Sequence, residues 1–154
     1  VEPIIAKYNG VVNKYIGDGI LAIFGESEKN ENHALDAVKC ADEILSAVKV
    51  LKEKFVIENR PKIDIGVGIN TGDVFAGNIG TVDRLEYTVI GDNVNLASRI
   101  EAYNHMLKTQ FLISEYTYNY VKDFVDVVKL SQVNIKGKSK PIDIYEVLRL
   151  NNNV

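Results

Sequence analysis

The sequence predicts an α+β sandwich, with helices laid on a sheet. Three observations carry this. Two short β-prone runs, 11–16 and 20–24, surround Gly17-Asp18-Gly19, and Asp-Gly between such runs is a strong hairpin signal. From 30 to 55, apolar residues recur at 34, 35, 38, 41, 44, 45, 48, 51 and 55, the 3.6-residue period of a long helix packed on one face. Hairpin and helix patterns then alternate along the chain, which favours helices segregated onto an antiparallel framework.

In chain order, residues 1–9 read as the end of a helix, and the first hairpin and long helix follow. Pro61 closes the linker after that helix. Residues 62–70 and 74–79 read as strands around Thr71-Gly72-Asp73, a second hairpin. Residues 85–90 form a short strand, and Asp92 caps a helix to Tyr103. A strand at 111–114, a short helix at 115–121 and strands near 125–130 and 142–148 complete one domain over 1–150. Residues 151–154, Asn-Asn-Asn-Val, read as a frayed end.

Composition narrows the function classes. A chain of 154 residues buries about two thirds of its unfolded surface and suits one domain. Hydrophobic content of 46% with 25% charged residues is ordinary for a soluble globular fold. A net charge of −3 gives no sign of a nucleic-acid face. The single Cys40 excludes an internal disulfide and permits a reducing compartment. No apolar run reaches 18 residues and no signal peptide is present.

The most informative stretch is 87–99, Tyr-Thr-Val-Ile-Gly-Asp-Asn-Val-Asn-Leu-Ala-Ser-Arg. It reads as a strand, a sharp Gly-Asp turn and the opening of a helix. Asn95 and Arg99 fall at i and i+4, on one helix face. A carboxamide and a guanidinium near the positive end of a helix dipole suit a ribose beside a phosphate. By itself the pair also suits a capped surface helix.

Four segments settle on a family. They are 10–25, Gly-Val-Val-Asn-Lys-Tyr-Ile-Gly-Asp-Gly-Ile-Leu-Ala-Ile-Phe-Gly; 65–80, Ile-Gly-Val-Gly-Ile-Asn-Thr-Gly-Asp-Val-Phe-Ala-Gly-Asn-Ile-Gly; the run 84–101; and 135–138, Ile-Lys-Gly-Lys. In this order they resemble the catalytic domain of class III nucleotidyl cyclases, and they span nearly the whole chain. The resemblance implies a ferredoxin-like βαββαβ core, here without its first strand and most of its first helix. It implies adenylyl cyclase activity: ATP becomes 3′,5′-cyclic AMP and pyrophosphate by attack of the ribose 3′-hydroxyl on the α-phosphate, helped by two Mg2+ or Mn2+ ions per complete site.

The same resemblance assigns residues. Asp18 matches a metal-binding carboxylate, although Asp-Gly is also simply good turn chemistry. Arg99 matches the transition-state arginine, with a surface salt bridge to Glu101 or Asp92 as its ordinary alternative. Asn95 matches the residue that orients the ribose, and Lys136 the lysine that holds the terminal phosphates. Lys14 and Thr88 match the two base-reading positions. Adenine offers an acceptor at N1 and a donor at its 6-amino group, which a lysine and a hydroxyl suit. Thr88 in place of the commoner Asp points to a branch that includes bicarbonate-stimulated cyclases.

In this family the carboxylates come from one subunit and the base, ribose and transition-state residues from its partner. The resemblance therefore implies a two-fold homodimer with shared sites. It also implies a cytoplasmic catalytic domain and leaves open a sensor or membrane segment upstream in the parent protein. The family's other metal-binding Asp lies on the strand before Val1. The 154 residues alone are therefore expected to be inactive.

Two alternatives stay open: a non-catalytic nucleotide-binding or dimerisation module that keeps the cyclase fold, and a weaker reading as a diguanylate cyclase, whose Gly-Gly-Asp/Glu-Glu-Phe signature is not in the chain. His33, His105 and Cys40 receive no role. Gly66, Gly68, Gly77 and Gly80 are expected to allow close packing rather than to cradle phosphate, since no Gly-Lys-Ser/Thr follows them.

Overall fold

A computed structural model describes residues 1–26, 30–81, 84–133 and 141–151, with the backbone alone at 79–81, 84–86, 131 and 133. The chain opens with α1 (Glu2–Lys7), β1 (Gly10–Ile16), β2 (Gly19–Phe24) and α2 (His33–Ile57). Then come β3 (Val67–Ile69), β4 (Phe75–Thr81), β5 (Arg84–Ile90) and α3 (Asp92–Leu107). It ends with β6 (Phe111–Ser114), α4 (Glu115–Val121), β7 (Val125–Val133) and β8 (Ile142–Leu150).

The centre is a mixed sheet of order β3-β6-β8-β7, in which β3 runs parallel to β6 and the other pairs are antiparallel. All four residues of β6 are buried, as a strand covered on both faces must be. Phe111 and Ile113 face Ala34, Val38 and Ala41 of α2 and Val121 of α4. Leu112 faces the other way, with Ile142 and Ile144 of β8, onto Leu96 and Ile100 of α3. The domain is thus three layers: α2 and α4, the sheet, and α3. This is the α+β sandwich the hairpin and helix patterns predict. Cys40 is buried in α2.

Two more ribbons complete the fold. β1 pairs with β2 and β4 with β5, both antiparallel. The first is the expected hairpin, turning through Gly17, whose φ is +61°, and Asp18.

The expected second hairpin is not formed. β3 and β4 do not pair: β3 takes β6 as its neighbour, and β4 takes β5 along seven residues. The loop between them is held elsewhere. Asn70 Nδ2 donates to the Asn93 carbonyl at 3.1 Å, and Asn93 Nδ2 donates to the Asp73 carbonyl at 2.8 Å. A Cβ on Gly72 would sit 2.4 Å from Asn93 Nδ2. The Asn93 side chain of α3 therefore occupies the loop that a hairpin turn would need.

A smaller correction concerns the start of α3. Its N-cap is Gly91, at φ +145°, with no side-chain capping bond, and Asp92 is the first helical residue. A turn from β5 straight into the helix needs a backbone that only glycine adopts easily. Asn151, expected in the frayed end, is tied to the turn before β7. Asn151 N donates to the Phe124 carbonyl at 2.9 Å, and residues 152–154 lie outside the described residues.

Glycine carries the packing of α3. A Cβ on Gly68 would lie 2.2 Å from the Glu101 backbone nitrogen and 2.9 Å from the Ala97 carbonyl oxygen. One on Gly66 would meet the Asn104 side chain. Asn104 itself is buried and donates to the Val67 carbonyl at 3.0 Å. Helix and strand approach at backbone distance, which is the close-packing role expected for these glycines.

Candidate active site

The three layers leave the two outer ribbons and the open side of α3 to carry the chemistry. Leu96 and Ile100 are buried, which turns Asn95 and Arg99 outward, one helical turn apart. Both are exposed, and among the described residues neither side chain has a hydrogen-bond or ion-pair partner. The salt bridges to Asp92 or Glu101 weighed for Arg99 are not formed. The guanidinium is left to meet an anion.

Lys14 lies on β1 and Thr88 on β5, in different ribbons that share no ladder. Lys14 Nζ nevertheless donates to Thr88 Oγ1 at 2.6 Å. The adjoining residues also touch: Asn13 Nδ2 donates to the Tyr87 carbonyl at 3.3 Å. Tyr87 Oη donates to Glu26 Oε1 at 2.5 Å, and that carboxylate holds the phenol above its ordinary range. The first hairpin and β5 are joined by side chains alone.

Asp18 sits at the tip of the β1–β2 hairpin, exposed and without a partner among the described residues. A divalent ion needs several oxygen ligands. No group of three His, Cys, Asp or Glu residues among the described residues could hold one. A lone carboxylate does not fit a two-ion site. Lys136 and the 135–138 segment lie outside the described residues.

Of the residues expected at the site, the fold brings Lys14 against Thr88 and sets Asn95 and Arg99 on one face of α3. Sequence reasoning missed Asn13 and Asn93. Asn93 was legible only as one more polar residue in a helix. Asn13 depends on a bulge in β1 that no residue pattern announces. Neither histidine enters the site. His33 packs against Tyr120 with the rings tilted by 57° and their centroids 5.3 Å apart, and His105 is exposed on the last turn of α3.

Known proteins resemble the chain along nearly its whole length. Residues 2–148 match the adenylate and guanylate cyclase catalytic domain. The chain is 37% identical over 150 residues to the terminal-differentiation-specific adenylate cyclase of Dictyostelium discoideum, covering 95% of this chain and 7% of that protein. It is 31% identical to adenylate cyclase 1 of Rhizobium meliloti over 94% of this chain and 22% of that protein. The chain thus spans less than a quarter of the length of either relative. Among solved structures, the adenylyl cyclase CyaB from P. aeruginosa superposes with a TM-score of 0.85 at 32% identity, covering 99% of this chain and 79% of that one. The guanylyl cyclase Cya2 does so equally, at 0.85 and 33% identity, over 98% and 76%. Likeness of fold does not separate ATP from GTP.

Proposed function

The chain belongs to the adenylate and guanylate cyclase catalytic domain family, and from that premise we propose that the whole protein is an adenylyl cyclase. The observation that carries ATP over GTP is the contact of Lys14 with Thr88. A cationic donor and a hydroxyl oxygen stand side by side there. Adenine presents the matching order, an acceptor at N1 beside a donor at the 6-amino group. Guanine presents the reverse at the same two positions, so Lys14 would face an N–H donor.

In this reading the 3′-hydroxyl oxygen attacks the α-phosphorus and its proton passes to water. The bond to the bridging oxygen breaks, and pyrophosphate leaves with the electron pair. Asn95 orients the ribose so that attack is in line. Arg99, whose side chain has no partner among the described residues, meets charge that builds on the phosphorane oxygens. Lys136 belongs to the same reading as the lysine for the terminal phosphates, and Asp18 as one carboxylate of an ion site completed by other residues, for Mg2+ or Mn2+.

A second copy of the chain follows from the same reading. In both ribbons that carry the base pair, large apolar side chains stand exposed: Tyr15 and Ile16, Phe75 and Ile90. Such surface suits a homodimer that shares its sites. No helix among the described residues is long and apolar enough to cross a membrane.

The test is turnover of ATP and GTP by the whole protein, with and without bicarbonate, read as cyclic AMP and cyclic GMP. A clear excess of cyclic AMP is expected. Equal or faster use of GTP overturns the base assignment. Nucleotide binding with no turnover would favour the alternative of a non-catalytic module.

A further inference from the structure

β1 and β2 are not in simple register. Val12 pairs with Ala22, but Lys14 pairs with Leu21, leaving Asn13 as an extra residue in β1. Such a bulge inverts the alternation of side chains beyond it. In the unbulged register Asn13 would oppose Leu21, and Lys14 would oppose Ile20 from the other face. The bulge is therefore what sends two successive side chains, Asn13 and Lys14, to two successive residues of β5, Tyr87 and Thr88.

Asn13 is anchored by one end only. Its Nδ2 donates to the Tyr87 carbonyl, while its Oδ1 is buried with no partner. An orphaned buried acceptor is unfavourable, and an apolar side chain of similar shape would avoid it. Exchanging the two ends of the amide would set oxygen against the Tyr87 carbonyl oxygen. What Asn13 provides is thus the donated bond, and that bond fixes β1 to β5 one residue before the Lys14–Thr88 contact.

We infer that Asn13 is a positioning residue for base selection. Its bulge and its bond to Tyr87 hold the Lys14 ammonium at Thr88, so that donor and acceptor are presented together to the purine. This deepens the adenylyl cyclase reading and rests on it.

The test is the ratio of kcat/KM for ATP to that for GTP in the whole protein. It is measured for Asn13→Ala, the milder Asn13→Ser, Lys14→Ala and the Asn13→Ala/Lys14→Ala pair, with thermal unfolding of each. The two Asn13 variants should each lower the ratio by about tenfold. In the Lys14→Ala background the Asn13 change should lower it no further, since coupled residues are not additive. A residue that only stabilised the fold would lower both substrates alike and would act equally in either background. An unchanged ratio in the Asn13 variants, with a collapsed ratio in Lys14→Ala, overturns the positioning role and leaves the base reading intact. An unchanged ratio in Lys14→Ala overturns the base reading and the positioning role with it.

Discussion

The Lys14 ammonium donates to the Thr88 hydroxyl at 2.6 Å across two ribbons that share no ladder hydrogen bond. Replacing the donor is the direct probe. Lys14→Glu should erode preference for ATP, with roughly 1–3 kcal/mol for each base hydrogen bond lost. Competition between ATP and GTP in one reaction reads the change as a product ratio. A ratio equal to that of the unaltered protein would remove Lys14 from base recognition.

Much of this arrangement was legible in the residues. The 3.6-residue period marked α2, and Gly91-Asp92 marked the bend into α3, because a glycine before a polar first turn is a local signal. The β3–β4 hairpin failed for a non-local reason. Thr71-Gly72-Asp73 has good turn chemistry, but Asn70 and Asn93 tie that loop to α3, and β6 claims the edge of β3. That Asn95 and Arg99 share one helix face was readable from helical spacing, but their roles were reached only through resemblance. Lys14 and Thr88 were grouped as base readers only through resemblance, and their contact was not foreseen, since periodicity places each on a strand but cannot pair strands that share no turn. The bulge at Asn13 was not legible, because Val-Val-Asn-Lys alternates no differently from an unbulged strand.

Arg99 is exposed and unpaired among the described residues, so removing it should cost the fold little. Under the proposed role its charge matters most once the phosphorane forms. Arg99→Ala is expected to lower kcat by on the order of a hundredfold or more, with little change in KM. The measurement is steady-state turnover with an unfolding curve as control. Unchanged kcat with a much raised KM would move Arg99 to ground-state phosphate binding.

Gly68 offers a test of packing that is independent of activity. Its missing Cβ leaves the space into which the Glu101 and Ala97 backbone presses, at 2.2 and 2.9 Å. Backbone on both sides cannot swing away as a side chain would. Gly68→Ala should destabilise the domain by about 1–3 kcal/mol, as overpacking does, and shift α3 off β3. Denaturant unfolding measures the first effect. Gly17→Ala is the contrast, because a Cβ there meets nothing within 4 Å and the cost is the left-handed backbone alone.

Acid should weaken the fold through three surface carboxylates. Glu43 accepts from Lys7 at 2.5 Å and Tyr8 at 2.7 Å, and these bonds hold it below its ordinary value of 4.5. Asp64, bonded to Lys52 and Gln110, and Asp143, bonded to Lys129 and Gln132, are likewise held below 3.8. Each binds its proton more weakly folded than unfolded. The stability they contribute is present above the unfolded value and is lost as pH falls through the lower folded one. Asp42 acts the other way, because burial raises its value, and protonation there relieves the native state. Three lowered groups against one raised predict a denaturation midpoint that is flat from pH 7 to 5 and falls from about pH 4.5 downward. Salt should shrink the fall, since exposed pairs are screened. Asp64→Asn should make the acid limb shallower by removing one of the three. A midpoint that holds steady from pH 5 to 3, or an Asp64→Asn variant with the full acid slope, would show that these pairs do not link protonation to folding.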